Sequence, residues 1–189
     1  MARYFGVRHA DEFLRLYGAD AIRAGPDTVG EPYATVIREA RRLYEEKRFF
    51  HWDLEFPEVF IDLEQATWKE NPGFDAVIGN PPYGFIADKE TQTILSFQYA
   101  AISSYDTYIA FLERGIHVLK RGGILSYITP TSWQTGLAHR DFREYTLKTC
   151  HILQIVNLPY DVFPEAYIDT SIYVLRKEQD YEQHASLLD

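Results

Sequence analysis

A chain of 189 residues, 46% hydrophobic and 15% aromatic, is long enough to bury one proper core and too apolar for wholesale disorder. Its single cysteine, Cys150, excludes an intrachain disulfide and suits a reducing cytosol. With no membrane-length apolar run and no signal-peptide pattern, a soluble, cytoplasmic protein without membrane partners is expected. The net charge of −9 argues against a strong unaided grip on phosphate backbones, leaving Lys120-Arg121 and His139-Arg140 as candidates for a local basic edge.

Residues 1–50 are predicted to be helical. Asp11 is placed to cap a helix running to about Tyr17, with Gly18 ending it. A second helix has Pro32 near its first turn and an apolar stripe of Tyr33, Val36, Ile37, Ala40, Leu43 and Tyr44. Arginines and glutamates surround that stripe, a pattern that favours pairing on the helix surface over phosphate contact. The aromatic and acidic run from Phe49 to Phe60 lacks metal-ligand spacing, and its isolated His51 reads as structural. Residues 61–73 form a connection with an Asn71-Pro72-Gly73 turn.

The chain is organised around Phe74-Asp75-Ala76-Val77-Ile78-Gly79-Asn80-Pro81-Pro82-Tyr83-Gly84. A short apolar run reads as a buried strand, closed on its far side by Gly, Asn and Pro. It presents an amide, a stiff diproline and an aromatic ring at its C-terminal edge, where open parallel sheets bind ligands. These four residue types fit one chemistry. An exocyclic amine on a heteroaromatic ring is a poor nucleophile because its lone pair is delocalised. Accepting hydrogen bonds from both of its N–H groups frees that pair, and the Asn80 side-chain oxygen and Pro81 carbonyl are suited to accept them. Pro82 keeps Pro81 extended, and neither proline offers a competing N–H. Tyr83 is suited to stack on the base.

Residues 84–104 read as a polar and aromatic loop suited either to close over a bound base or to serve as a plain connector. A helix follows from Asp106, its expected N-cap, to a Gly122-Gly123 stop after basic Lys120-Arg121. Strand Ile124–Thr129 ends at Pro130, and together these elements predict a right-handed βαβ crossover with Thr131-Ser132-Trp133 near the same crevice. A helix over about His139–Cys150, a strand Ile152–Leu158, a loop with Tyr160–Pro164 and an alternating strand Ile168–Leu175 complete the order. A polar tail then follows.

From about residue 49 to 177 this order, with Asn-Pro-Pro-Tyr at its centre, resembles the S-adenosylmethionine-dependent N6-adenine DNA methyltransferases. It resembles above all the methylase part of single-chain type II restriction–modification enzymes. The resemblance implies a partial Rossmann-like methyltransferase fold, α/β, with a mainly parallel sheet and an antiparallel last strand. It divides the chain into a helical lead-in (1–50), a catalytic half (51–177) and a polar tail (178–189). It implies transfer of a methyl group to a flipped adenine in DNA, with Asn80, Pro81, Pro82 and Tyr83 as the catalytic set. Phe163, in the Val162-Phe163-Pro164 block, would pack on the base opposite Tyr83. Asp75, Asp106 and Tyr108 would border the cofactor, although a capping role explains Asp106 equally well.

Related Asn-Pro-Pro-Tyr enzymes methylate protein glutamine or RNA amines, and a non-catalytic relic that packs against a partner is a further alternative. These enzymes hold S-adenosylmethionine on an earlier Gly-rich turn, and no Gly-x-Gly occurs in these 189 residues. The expectation is therefore a fragment, inactive when isolated, with an incomplete cofactor site. It would lack the other methylase half and the DNA-recognition domain, reach DNA through its full-length parent, and tend to self-associate along an exposed sheet edge.

Overall fold

The computed structural model describes residues 7–18, 25–48, 50–159, 162 and 168–178, which form two compact units divided between His51 and Trp52. The expected loop residues Tyr160, Asp161, Phe163 and Pro164, and the tail beyond residue 178, lie outside the described residues.

In the first unit, helix α1 (Ala10–Tyr17) packs Ala10 and Phe13 against Val36 and Ile37 of helix α2 (Tyr33–Lys47). His9, with φ 64°, stands at the N-cap position and Asp11 lies in the first turn, so Asp11 is not the cap. Gly18 ends the helix as expected. Tyr44 is 64% exposed although the stripe includes it, while Leu43 beside it is buried. Arg42 of α2 pairs with carboxylates of the same helix, Glu39 at 3.0 Å and Glu46 at 2.6 Å, and Arg38 pairs with Glu31 just ahead of it. Exposed pairs of this kind contribute about 0.3–0.5 kcal/mol each.

The second unit opens with two helical turns, Trp52–Glu55 and Pro57–Phe60, which place Trp52, Phe56 and Phe60 edge-on around Phe74 at 5.3–5.8 Å. The aromatic run at 49–60 is thus partly spent on packing. A small antiparallel pair, β1 (Ile61–Asp62) and β2 (Thr67–Trp68), stands where a plain connection is predicted.

The main sheet holds β3 (Phe74–Gly79), β4 (Leu119–Pro130), β5 (Cys150–Asn157) and β6 (Thr170–Lys177) in the order β3-β4-β6-β5. β3 and β4 are parallel, and β6 lies antiparallel between β4 and β5. Three strands therefore point one way and the last is reversed. Helix α3 (Lys89–Gln98) and helix α4 (Thr107–Val118) span the crossover from β3 to β4, and helix α5 (Arg140–Thr149) leads into β5. Alternate residues of β4 and β6 (Leu125, Tyr127, Tyr173 and Leu175) pack with Ile109, Leu112 and Ile116 of α4 and Phe142 and Tyr145 of α5. Each such buried side chain contributes about 1.5–3 kcal/mol. Gly115 allows the close approach of α4 to β4, since a Cβ there would sit 2.5 Å from Leu125 Cδ1.

Three expectations are corrected. β3 is an edge strand, not a buried one: β4 is its only neighbour among the described residues, and Ile78 is 85% exposed. Its apolar run reflects a burial that one neighbour does not supply. The segment 84–104 is not all loop, because the Asp88 carboxylate accepts the Thr91 N–H at 2.8 Å and starts α3. Finally, α4 ends at Val118, and Gly122-Gly123 lie inside β4, with Gly122 at φ 83°. The residue-by-residue pairing with β3 shifts there, between Phe74↔Leu119 and Ala76↔Ile124. The two glycines accommodate an irregularity in the strand rather than a helix stop.

Candidate active site

The parallel strands β3 and β4 end at one edge of the sheet. From Gly79 the chain leaves β3 through Asn80, Pro81, Pro82 and Tyr83, so the four expected catalytic residues stand together at the carboxyl end of the strand. Pro81 is buried, Tyr83 is half-buried, and Asn80 and Pro82 are exposed.

Tyr83 organises the turn. Its hydroxyl lies 2.8 Å from Asn80 Oδ1 and 3.1 Å from the Ile128 carbonyl of β4, with both oxygens as acceptors. Its ring meets the Tyr108 ring edge-on, with centroids 6.4 Å apart and planes at 87°. Burial pushes the Tyr83 hydroxyl above its ordinary pKa, so it keeps its proton and donates. No described residue donates a hydrogen bond to the Pro81 carbonyl, which stays open as an acceptor.

The segment beyond Tyr83 is tied to the start of α4. Thr107 Oγ1 donates to the Pro82 carbonyl at 2.7 Å and reaches the Gly84 carbonyl at 3.1 Å, while Thr107 N donates to Gly84 at 2.7 Å. Ile86 N donates to Tyr105 O at 2.9 Å. These bonds satisfy carbonyls that a diproline cannot pair within its own turn, and they hold Pro82 and Gly84 from across 23 to 25 residues of chain.

Asp106 stands at the N-cap position of α4 but its side chain accepts no capping bond there. Its carboxylate instead lies 3.7 Å from Nε2 of His139, which is 6% exposed. The Tyr108 hydroxyl lies 3.3 Å from the same nitrogen and 3.1 Å from Ser132 Oγ. Burial holds His139 below its ordinary pKa, against the Asp106 charge that raises it and with Arg143 adding to the lowering. Burial likewise pushes Tyr108 up to about 12. Asp106 and Tyr108 thus lie in one polar cluster beside Tyr83.

Asp75 does not join them. It sits at the start of β3, five residues or about 16 Å of strand from Asn80, and its exposed carboxylate pairs with Lys120 Nζ at 2.5 Å. The Lys120 side chain holds the Asp75 carboxyl below its ordinary pKa. The candidate basic edge also separates. Lys120-Arg121 lie at the opposite end of the β3–β4 pair from the Asn80 turn, and His139 is buried rather than presented with Arg140. The Phe163 position lies outside the described residues. Among the described residues, Asp75, Asp106 and Tyr108 do not converge on a cradle for a nucleoside-bearing cofactor.

Sequence reasoning missed Thr107 and Glu113, and it read the buried His139 as part of a surface basic edge. Glu113 is 1% exposed and its carboxylate accepts Ala100 N at 2.7 Å and Ala101 N at 2.9 Å, which fixes the return from α3 to α4. A lone carboxylate in the apolar stripe of a helix was the available signal. Thr107 has none, because its partners are backbone atoms far away in sequence.

A Rossmann-like α/β sheet with three parallel strands, a reversed last strand and an Asn-Pro-Pro-Tyr turn at its carboxyl edge is the expected partial methyltransferase fold. Residues 15–163 match the Eco57I restriction-modification methylase family, and the chain belongs to that family. It is 29% identical over 135 residues to RM.MjaORFECS2P of Methanocaldococcus jannaschii, covering 71% of this chain and 10% of that protein. It is 28% identical over 115 residues to the type II restriction enzyme and methyltransferase RM.Eco57I of Escherichia coli, covering 57% of this chain and 12% of that one. The chain therefore spans about a tenth of the length of these two relatives. Among solved structures, the type I restriction-modification methyltransferase subunit of Streptococcus thermophilus aligns at a TM-score of 0.48 and 24% identity, over 59% of this chain and 25% of that one. Among the described residues no helix is long and apolar enough to cross a membrane.

Proposed function

We propose that this chain is the amine-presenting part of an S-adenosylmethionine-dependent, adenine-N6-specific DNA methyltransferase of a restriction–modification system. The observation that carries the reading is the Asn80-Pro81-Pro82-Tyr83 turn at the carboxyl edge of β3, with an open Pro81 carbonyl and Asn80 Oδ1 on one turn. In a chain of the Eco57I family, that pair of acceptors fits the two N–H groups of an exocyclic amine.

The target adenine leaves the duplex, at a cost of a few kcal/mol, and stacks on Tyr83, which returns about 1–3 kcal/mol. Asn80 Oδ1 and the Pro81 carbonyl each accept one N–H, which localises the nitrogen lone pair away from the ring. Phe163 closes the other face of the base. S-adenosylmethionine supplies the electrophilic methyl group. Asp106 and Tyr108 border its site, and most of its cradle, with the DNA-recognition part, comes from elsewhere in the parent protein. Residues 1–50 serve as a lead-in to this catalytic half and residues 178–189 as a tail. The edge of β3 that no described residue pairs with, where Ile78 is 85% exposed, is where the other methylase half docks in this reading.

The test is a methylation assay of the full-length protein on unmethylated DNA with labelled S-adenosylmethionine, followed by nucleoside analysis. Label in N6-methyladenine, lost in Asn80→Ala, is expected. Label only in protein glutamine or in RNA would transfer the same chemistry to another substrate and overturn the DNA reading.

A further inference from the structure

The Tyr83 hydroxyl has one hydrogen and two acceptors. Asn80 Oδ1 lies at 2.8 Å and the Ile128 carbonyl at 3.1 Å, so the hydrogen serves one of them at full strength at a time. The nearer acceptor is the oxygen that, on the reading above, must accept an N–H of the substrate amine. With no base present, that oxygen already has a partner. The ring itself is held, edge-on against Tyr108 and packed on the core cluster beneath it. Turning the O–H bond about Cζ–Oη redirects the hydrogen to Ile128 without moving the stacking face.

We propose that the Tyr83 hydroxyl is a placeholder for the substrate amine. It occupies Asn80 Oδ1 while the pocket is empty and yields it, turning to the Ile128 carbonyl, when an exocyclic amine arrives. The inference rests on the amine-presenting reading and adds a specificity role for the hydroxyl, separate from stacking by the ring. For a base that carries the amine, one hydrogen bond to Asn80 replaces another. For a base that lacks it, Asn80 keeps Tyr83 as its partner, and little is lost. The hydroxyl therefore softens discrimination in the bound ground state. Without it, a base lacking the amine buries the Asn80 oxygen with no partner, and an unsatisfied buried acceptor is costly.

The experiment measures the affinity of the full-length protein for two DNA duplexes by fluorescence anisotropy. One carries adenine at the target position and the other carries purine, which lacks the exocyclic amine. In Tyr83→Phe the ratio of Kd for purine to Kd for adenine is expected to rise about five-fold over wild type, the equivalent of one neutral hydrogen bond. In an Asn80→Ala background the same substitution should leave the ratio unmoved, which a general loosening of the pocket would not do. A ratio that is unchanged or smaller in Tyr83→Phe, with wild-type adenine methylation intact, overturns the placeholder alone. A wild-type protein that methylates no DNA adenine overturns the amine-presenting reading and the placeholder with it.

Discussion

The Thr107 hydroxyl donates to the Pro82 carbonyl at 2.7 Å, joining the first residue of α4 to the turn that leaves β3. Pro82 has no N–H, and both it and Pro81 are fixed in φ, so this bond sets where the Asn80–Tyr83 turn sits. Thr107→Val keeps shape and removes the donor. It should cost about 0.5–1.5 kcal/mol of stability, because the exposed Pro82 segment can turn to water. Turnover should fall more, by roughly ten- to a hundred-fold, since small displacements of positioning groups are expensive. Thr107→Ser should restore it. Equal kcat values for Val and wild type would remove Thr107 from the positioning of the turn.

Asn80→Ala removes one of the two acceptors proposed for the amine. Loss of one such preorganised polar contact costs on the order of 10²–10³ in kcat. Because Asn80 is exposed, the melting temperature should change little. Steady-state methylation and thermal melting on the same preparation check both halves of this expectation.

His139 ties stability to pH. Its folded pKa lies below the ordinary 6.5 because it is buried, so the unfolded chain takes up a proton first as pH falls. Its contribution is complete above about pH 6.5 and is lost as pH drops through the lower, folded value. Urea unfolding between pH 7.5 and 5.5 should show this decline, and His139→Gln should flatten it. An identical slope in the variant would assign the decline to other groups.

Glu113 acts through burial and two backbone donors. Glu113→Gln replaces one carboxylate oxygen by an NH₂ group facing an N–H of Ala100 or Ala101. The buried donor left unpaired should cost about 1–3 kcal/mol in chemical denaturation. A neutral result would show that the 99–104 segment relaxes without it.

The edge of β3, unpaired among the described residues, predicts association. A polypeptide of these residues alone should self-associate in light scattering, and Ile78→Lys should reduce it, because a charge on an open edge opposes strand pairing. A monomer at all concentrations in the unsubstituted polypeptide would refute the exposed-edge account.

The amino-acid sequence by itself did not show α3 or the β1–β2 pair, but it determined the order of the four main strands and the position of the turn. These are local properties. The six-residue apolar strand ending in Gly79, the proline-locked residues after it, and the apolar stripes of α2 and α4 are each specified by neighbours in the chain. The resemblance to the methylases rested on the same local features, which is why it pointed to the family that residues 15–163 match.

Only the tertiary structure decided what those features face. It put β6 between β4 and β5, left β3 at the edge, and sent Asp75 to Lys120 rather than toward Asn80. It buried His139, which the sequence offers as a surface cation beside Arg140, and set it between Asp106 and Tyr108. It brought Thr107 to Pro82 across 25 residues and aimed the Tyr83 hydroxyl at Asn80. The physical reason is common to all of these. Periodicity and turn chemistry report each residue's preference for burial or bend, whereas hydrogen-bond and ion-pair partners are chosen by which strands and helix ends meet in space.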